Sequence, residues 1–247
     1  MKTDKTGANA QKKFDFSQPL PRPFLSSLPG KIDSYEEGVA RFFQWRTGLD
    51  YYAAIDQFVD FIVTTRRERI IDLLGDTATL VLRLAGRKAF SGKIQSFDNN
   101  ITLLERARQR ARQLHLAQVI EFRQTDASGW PVRDGYAEIA VSLFDFHRHQ
   151  AQPFLQEIHR ILAPGGYLLM GEVLEPRCFR NRLTWVWRQF QLRWLQRNSV
   201  EAKGVYYDQD AIIAMLFKAG FRQVVIQGLK SRSAPHQGVF SMIAATK

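Results

Sequence analysis

Four short stretches of this chain carry side chains that could do chemistry, and in each the reactive residues stand at or just past the end of an apolar run. They are Ile71-Asp72-Leu73-Leu74-Gly75-Asp76-Thr77-Ala78, Phe97-Asp98-Asn99, Thr125-Asp126-Ala127 and Ser142-Leu143-Phe144-Asp145-Phe146-His147-Arg148-His149. An ionised carboxylate only accepts hydrogen bonds, so Asp98 suits a pair of ribose hydroxyls and Asp126 an adenine amino group. With Asp72, Gly75, Asp76, Thr77, Asn99, Ala127 and Ser142 beside them, they outline a nucleoside pocket. The fourth stretch differs. In an extended segment alternate side chains project to one side, which would gather Asp145, His147 and His149 into a ligand set suited to Mn(II), Fe(II) or Zn(II). The competing reading is a substrate-facing His147 with solvated neighbours.

Such residues must be held by a scaffold, and the hydrophobic pattern supplies one. Apolar runs at Arg69–Leu73, Lys93–Phe97, Ile120–Gln124, Glu138–Leu143 and Tyr167–Glu172 read as strands. Helical patterns at Thr77–Leu84, Ile101–Leu114 and Pro153–Leu162 fall between them, the last closed by Pro164-Gly165-Gly166. This alternation predicts an α/β, Rossmann-like fold with a mostly parallel sheet, whose ligands bind beyond the carboxyl ends of the strands. A late helix at Asp208–Ala219 and two runs, Gln223–Gln227 and Phe240–Ala244, predict an antiparallel close to a seven-stranded sheet. Two helical patterns within Ser34–Arg66 would form an N-terminal lid, and residues 1–30, with Pro19, Pro21, Pro23 and Pro29, read as a disordered arm. Residues 31–247 are then one domain.

Composition narrows the setting. The lone Cys178 excludes an internal disulfide and CxxC sites, and no apolar run is long enough to span a bilayer, so a cytoplasmic location is expected. A net charge of +11 admits nucleic acid, an anionic membrane surface or simple solubility. The arginines of Glu105–Arg112 lie among helix formers and read as a solvated face. Those of residues 179–198 are interleaved with aromatics: Phe179, Leu183, Trp187, Phe190 and Trp194 fall on one helical stripe flanked by arginines. Such a helix can lie in a lipid headgroup layer, or its stripe can cover the sheet. No recognised RNA module accompanies it, so nucleic acid is not the expected partner.

From about Tyr52 to Lys247 the order and spacing of these pieces resemble class I S-adenosylmethionine (SAM) dependent methyltransferases, particularly the quinone C-methyltransferase branch. Ile161-Leu-Ala-Pro-Gly-Gly-Tyr-Leu-Leu-Met170 resembles that family's LKPGG hairpin entry, and Ala219-Gly220-Phe221 its late AGF element. One departure stands out. Where the family has G-x-G-x-G, this chain has Leu74, Asp76 and Ala78, keeping only Gly75 between them. Those glycines let the backbone approach the methionine end of SAM, whose carboxylate meets the following helix N-terminus. A second carboxylate ~4 Å from that group, at an effective dielectric of ~20, costs about 4 kcal/mol if uncompensated. Three resolutions stay open: Asp76 caps a helix opening at Thr77, Asp76 holds the α-amino group of SAM, or a divalent cation bridges Asp76 and the ligand.

Together with the aromatic helix, the altered loop makes the chain resemble the rhodoquinone biosynthesis family, RquA. That resemblance implies conversion of ubiquinone to rhodoquinone, a ring methoxy group being replaced by an amino group, with SAM as amino donor and manganese assisting. On this reading Asp76 and Thr77 re-pose the SAM amino group toward the ring. A metal on Asp145–His149 polarises a quinone carbonyl, methanol leaves, and His147 or Tyr52 moves protons. The protein would sit peripherally on the inner face of the membrane. The alternatives are a conventional SAM methyltransferase acting on a quinone or small aromatic, and a non-catalytic binding subunit of quinone biosynthesis.

Overall fold

A computed structural model describes residues 34–125, 129–176, 179–195, 203–229 and 239–247. The expected arm at 1–30, and the candidates Asp126 and Ala127, lie outside the described residues. The chain opens with helices α1 (Ser34–Thr47) and α2 (Tyr51–Thr65), then alternates: β1 (Arg69–Asp72), α3 (Thr79–Ala85), β2 (Lys93–Asp98), α4 (Ile101–Gln113), β3 (Ile120–Gln124), β4 (Ala137–Leu143), α5 (Ala151–Ile161) and β5 (Leu162–Leu174). Helices α6 (Phe179–Leu195) and α7 (Gln209–Lys218) and strands β6 (Arg222–Leu229) and β7 (Val239–Thr246) complete it.

The seven strands form one sheet in the order β3-β2-β1-β4-β5-β7-β6. β1 to β5 pair in parallel, whereas β7 runs antiparallel to both β5 and β6. The expected Rossmann-like sheet with its antiparallel last strand is therefore observed. Strand order reverses between β1 and β4, and a sheet of this kind opens a crevice there, above the carboxyl ends of the strands.

Helices cover both faces, which is why the central strands are apolar on both sides: Ile70, Ile71, Ile139, Ala140, Val141, Leu168, Leu169 and Met170 are all fully buried. On one face α5 and α7 close a core with Leu155, Ile158, Ile212, Leu216 and Phe221. On the other, Phe58, Val59 and Ile62 of α2 are buried completely. That helix starts with a true cap, the Asp50 carboxylate accepting from the Ala53 amide at 2.7 Å. It is clamped to α3 by Arg83 and Arg87, which share Asp56 at 2.5 and 3.1 Å.

Two local expectations are corrected. α3 begins at Thr79 rather than Thr77, because Ala78 at its N-cap adopts a left-handed conformation (φ 56°) and residues 75–78 form a turn instead of a helical start. The Pro164-Gly165-Gly166 stretch is not a turn separating helix from strand: α5 stops at Ile161 and β5 begins at once with Leu162, the irregularity being absorbed where its pairing with β4 shifts register.

Candidate active site

A cavity of about 920 Å³ lies over the carboxyl ends of β1, β2, β4 and β5, roofed by α1 and the start of α2. This is within the usual range for a small-molecule site. Its lining has two chemically different ends and an aromatic wall between them.

The first end is acidic. Asp72 closes β1 and is buried, its Oδ2 accepting from the Ser96 hydroxyl at 2.8 Å. Burial pushes its carboxyl up to about 7, opposed by the Ser96 hydrogen bond and reinforced by Asp98, Asp145 and Asp76. Asp98 closes β2 and accepts from the Asn100 amide at 2.7 Å and from the Asp76 amide. Desolvation, then the neighbouring carboxylates, raise it as well. Gly75, the one glycine kept in the loop, is needed there: a Cβ would stand 2.5 Å from Ser96 Oγ and 3.0 Å from Asp72 Oδ2.

The loop's side chains are bound by the lid. Tyr35 of α1 donates to Asp76 Oδ1 at 2.7 Å, and burial together with Asp76 raises its phenol. The Tyr51 hydroxyl meets Thr77 Oγ1 at 3.0 Å, and Thr79 donates to Glu36 at 2.6 Å. Arg110 pairs with Glu36 at 2.8 Å and donates to the Thr77 carbonyl at 3.1 Å. At least this member of the α4 arginine cluster buttresses the loop instead of facing solvent alone. Asp76 itself (φ 33°) does not cap α3, whose N-cap is Ala78 with no side-chain bond. That removes the capping explanation for Asp76.

The second end pairs carboxylates with imidazoles. His147 Nδ1 lies 3.0 and 3.1 Å from the two oxygens of Glu172, whose Oε1 also accepts from the Val173 amide. Since a carboxylate only accepts, Nδ1 carries the hydrogen and Nε2 of the neutral ring is the basic nitrogen. Nε2 is buried and has no hydrogen-bond partner among the described residues. Tyr206 stacks on the imidazole at 4.9 Å, and the Arg46 guanidinium sits 4.5 Å over the same phenol ring. Gly204 is required beside it, because a Cβ would come within 2.4 Å of His147 Cδ2.

His149 turns the other way. Its Nε2 lies 2.5 Å from Asp145 Oδ2 and its ring stacks on Phe154 at 4.4 Å. The expected three-ligand set of Asp145, His147 and His149 is thus corrected. Phe146–Arg148 form a 3₁₀ turn, not an extended segment, so alternate side chains fan apart and each imidazole takes its own carboxylate. Among the described residues no group of three or more His, Cys, Asp or Glu is placed to hold a metal. A divalent ion does not fit these residues as they stand.

Phe43 and Phe144 form the wall, 5.0 Å apart, with Phe240 stacked behind Phe144 at 4.9 Å. Phe144 is left-handed (φ 56°), a strained conformation for a bulky residue and one that tends to persist where a site needs it. Of the other candidates, Thr77 and Asn99 line the cavity. Ser142 is buried in β4, its hydroxyl has no hydrogen-bond partner among the described residues, and it is not among the lining residues. Tyr52 is corrected: it does not line the cavity, and its ring lies under Arg83, 5.6 Å from Cζ, whereas its neighbour Tyr51 faces the loop. Tyr35, Phe43, Arg46, Tyr51 and Glu172 were not singled out from the sequence. Glu172 closes the apolar run Tyr167–Glu172, two residues short of the end of β5, so the rule that picked out Asp98 would have found it there too. The lid residues carry no such local signal.

Residues 70–166 match the model of a methyltransferase domain. The ubiquinone/menaquinone biosynthesis C-methyltransferase UbiE of Coxiella burnetii is 27% identical over 178 residues, 66% of this chain and 71% of that protein. A solved Thermotoga maritima SAM-dependent methyltransferase, described as a possible histamine N-methyltransferase, superposes with a TM-score of 0.61 at 20% identity, covering 86% of this chain and 96% of that one. Geranyl diphosphate methyltransferase in complex with SAM gives 0.62 at 13% identity, covering 89% and 93%. The chain has the class I SAM-dependent methyltransferase fold.

Proposed function

From that fold as premise, we propose that the protein is a SAM-dependent transferase acting on the ring of a lipid-tailed quinone, with methyl transfer to a ring carbon as the first reading. The observation that carries it is one cavity joining an acid-lined end to a buried His147–Glu172 pair across an aromatic wall. Similarity to ubiquinone/menaquinone C-methyltransferases supports the substrate class. SAM, when bound, supplies a methyl group activated on a sulfonium. Asp98 accepts ribose hydroxyls, and the crowded carboxylates of Asp72, Asp76 and Asp98 favour a cationic ligand. Phe43 and Phe144 stack on the reduced ring. His147 Nε2, with Nδ1 fixed by Glu172, takes the proton that the ring carbon gives up as it gains the methyl group. Arg46 brings positive charge to the wall, where it stabilises an anionic ring oxygen.

One observation favours a second reading, amino-for-methoxy exchange converting ubiquinone to rhodoquinone. Asp76 stands where a glycine would admit the SAM carboxylate, and an acid at that point attracts the amino end instead. Manganese belongs to this reading by resemblance, and its ligands would have to differ from Asp145, His147 and His149. On either reading the protein works peripherally at the inner face of the membrane, where a lipid-tailed substrate is met; no helix among the described residues is long and apolar enough to cross.

Purified protein given SAM and either ubiquinone or its quinol, with products read by mass spectrometry, separates the cases. S-adenosylhomocysteine with a methylated quinol supports the first reading, and an aminoquinone without it supports the second. SAM binding without turnover on any quinone would leave only a binding subunit.

A further inference from the structure

Helix α6 is built inside out for a globular surface. Leu183, Val186, Trp187, Phe190 and Trp194 are 51–69% exposed, while Gln189 is buried and Trp185 is turned inward. Leu183, Trp187, Phe190 and Trp194 recur at i, i+4, i+7 and i+11, one stripe of a helix, and Trp187 stacks on Phe190 at 5.9 Å. The alternative in which this stripe covers the sheet is therefore overturned. The side chain of Phe179, its fifth expected member, and residues 196–198 lie outside the described set.

We propose that α6 docks the protein onto an anionic lipid bilayer, its aromatic stripe in the headgroup layer and its arginines against lipid phosphates. Charge selects the occupant. Residues 179–200 hold five arginines and no Asp or Glu, in a chain of net charge +11. A second copy of the same helix would meet like charge, whereas an anionic leaflet supplies the opposite sign and accepts Trp at its interface. Arg182, bridged to Glu175 at 3.0 Å, anchors the helix start to the body.

The stripe also connects to the site. Trp185, on the inward face, contacts Tyr206 edge-on at 6.1 Å, and Tyr206 stacks on His147. Val173 of the cavity wall lies six residues before Phe179 in sequence. Docking by α6 brings this end of the cavity to the membrane surface, so that a ring enters while its apolar tail stays in lipid. Only this last point, the identity of the cargo, rests on the proposed function.

The test is co-sedimentation of the full chain with vesicles, without SAM or quinone. Phosphatidylcholine vesicles containing about one quarter phosphatidylglycerol should bind it at least ~10-fold more strongly than phosphatidylcholine alone, with binding weakened by salt. W187S/F190S/W194S should lose ~10-fold or more of that binding at unchanged melting temperature, the residues being exposed. The variant should keep turnover on a short-tailed quinone and lose it on a long-tailed quinone held in vesicles. Equal binding to both vesicle types, equal binding by the variant, or a wild-type dimer that the triple substitution dissociates would each overturn the proposal. Lack of turnover on any quinone alongside normal vesicle binding would instead count against the proposed function alone.

Discussion

The two ends of the cavity are made from the same kind of group, the carboxylate, and treat it in opposite ways. At the carboxyl ends of β1 and β2, burial and then the crowding of Asp72, Asp76 and Asp98 raise the proton affinity of Asp72 and Asp98, against hydroxyl and backbone-amide hydrogen bonds that lower it. Just past β4 and near the end of β5, Asp145 and Glu172 each hold an imidazole. Crowded carboxylates make a place for a cation. Paired ones orient a base. On the proposed function, a molecule spanning the cavity would meet an electrostatic end and a proton-moving end, as group transfer from a sulfonium to a ring requires.

The sharpest way to break this contrast is at His147. H147A should lower kcat by about 10²–10³-fold while leaving SAM affinity within about twofold. E172Q should give a smaller loss, partly restored in E172D. If H147A instead abolished SAM binding and spared turnover of what did bind, the division between the ends would be wrong.

Next in size is a pH effect at Asp72. Its folded value of about 7 lies above the ordinary carboxylate value of 3.8, so the native state holds a proton that the unfolded chain releases. Stability from this group is full below about pH 4 and is lost as pH rises through about 7, by roughly 2–3 kcal/mol between about pH 5 and about pH 8. Urea midpoints across that range should show it, and D72N should flatten the slope. A wild-type midpoint that climbs with pH in this window would contradict the assignment.

Asp98 bears on cofactor alone. D98A should weaken SAM binding roughly 10- to 100-fold by calorimetry, the value of losing hydrogen bonds to a charged acceptor, with kcat at saturating SAM little altered. The smallest change is A78G. Relieving a left-handed alanine should raise stability by about 1 kcal/mol, a few degrees in Tm, and an unchanged or lowered Tm would show that the loop is not strained there.

Much of this arrangement was legible in the sequence. The apolar runs and the period-3.6 patterns determined the strand–helix alternation, and with it the carboxyl-end positions of Asp72, Asp98 and Asp145, because burial on two faces forces near-continuous apolar strands. They also determined the stripe of α6, since helical geometry fixes which residues share a face. What the stripe faces was left to the tertiary structure, as were three features of the site. The 3₁₀ turn at Phe146–Arg148 dissolved an apparent metal set into two separate pairs, since a local change of backbone period redirects every side chain it carries. The lid's hold on Asp76 and Thr77 joins residues 41 and 26 positions apart, a closeness created only when α1 and α2 pack over β1. The choice of Tyr51 over Tyr52 followed from helix rotation, about 100° per residue, which a sequence fixes only once it is known what the helix packs against.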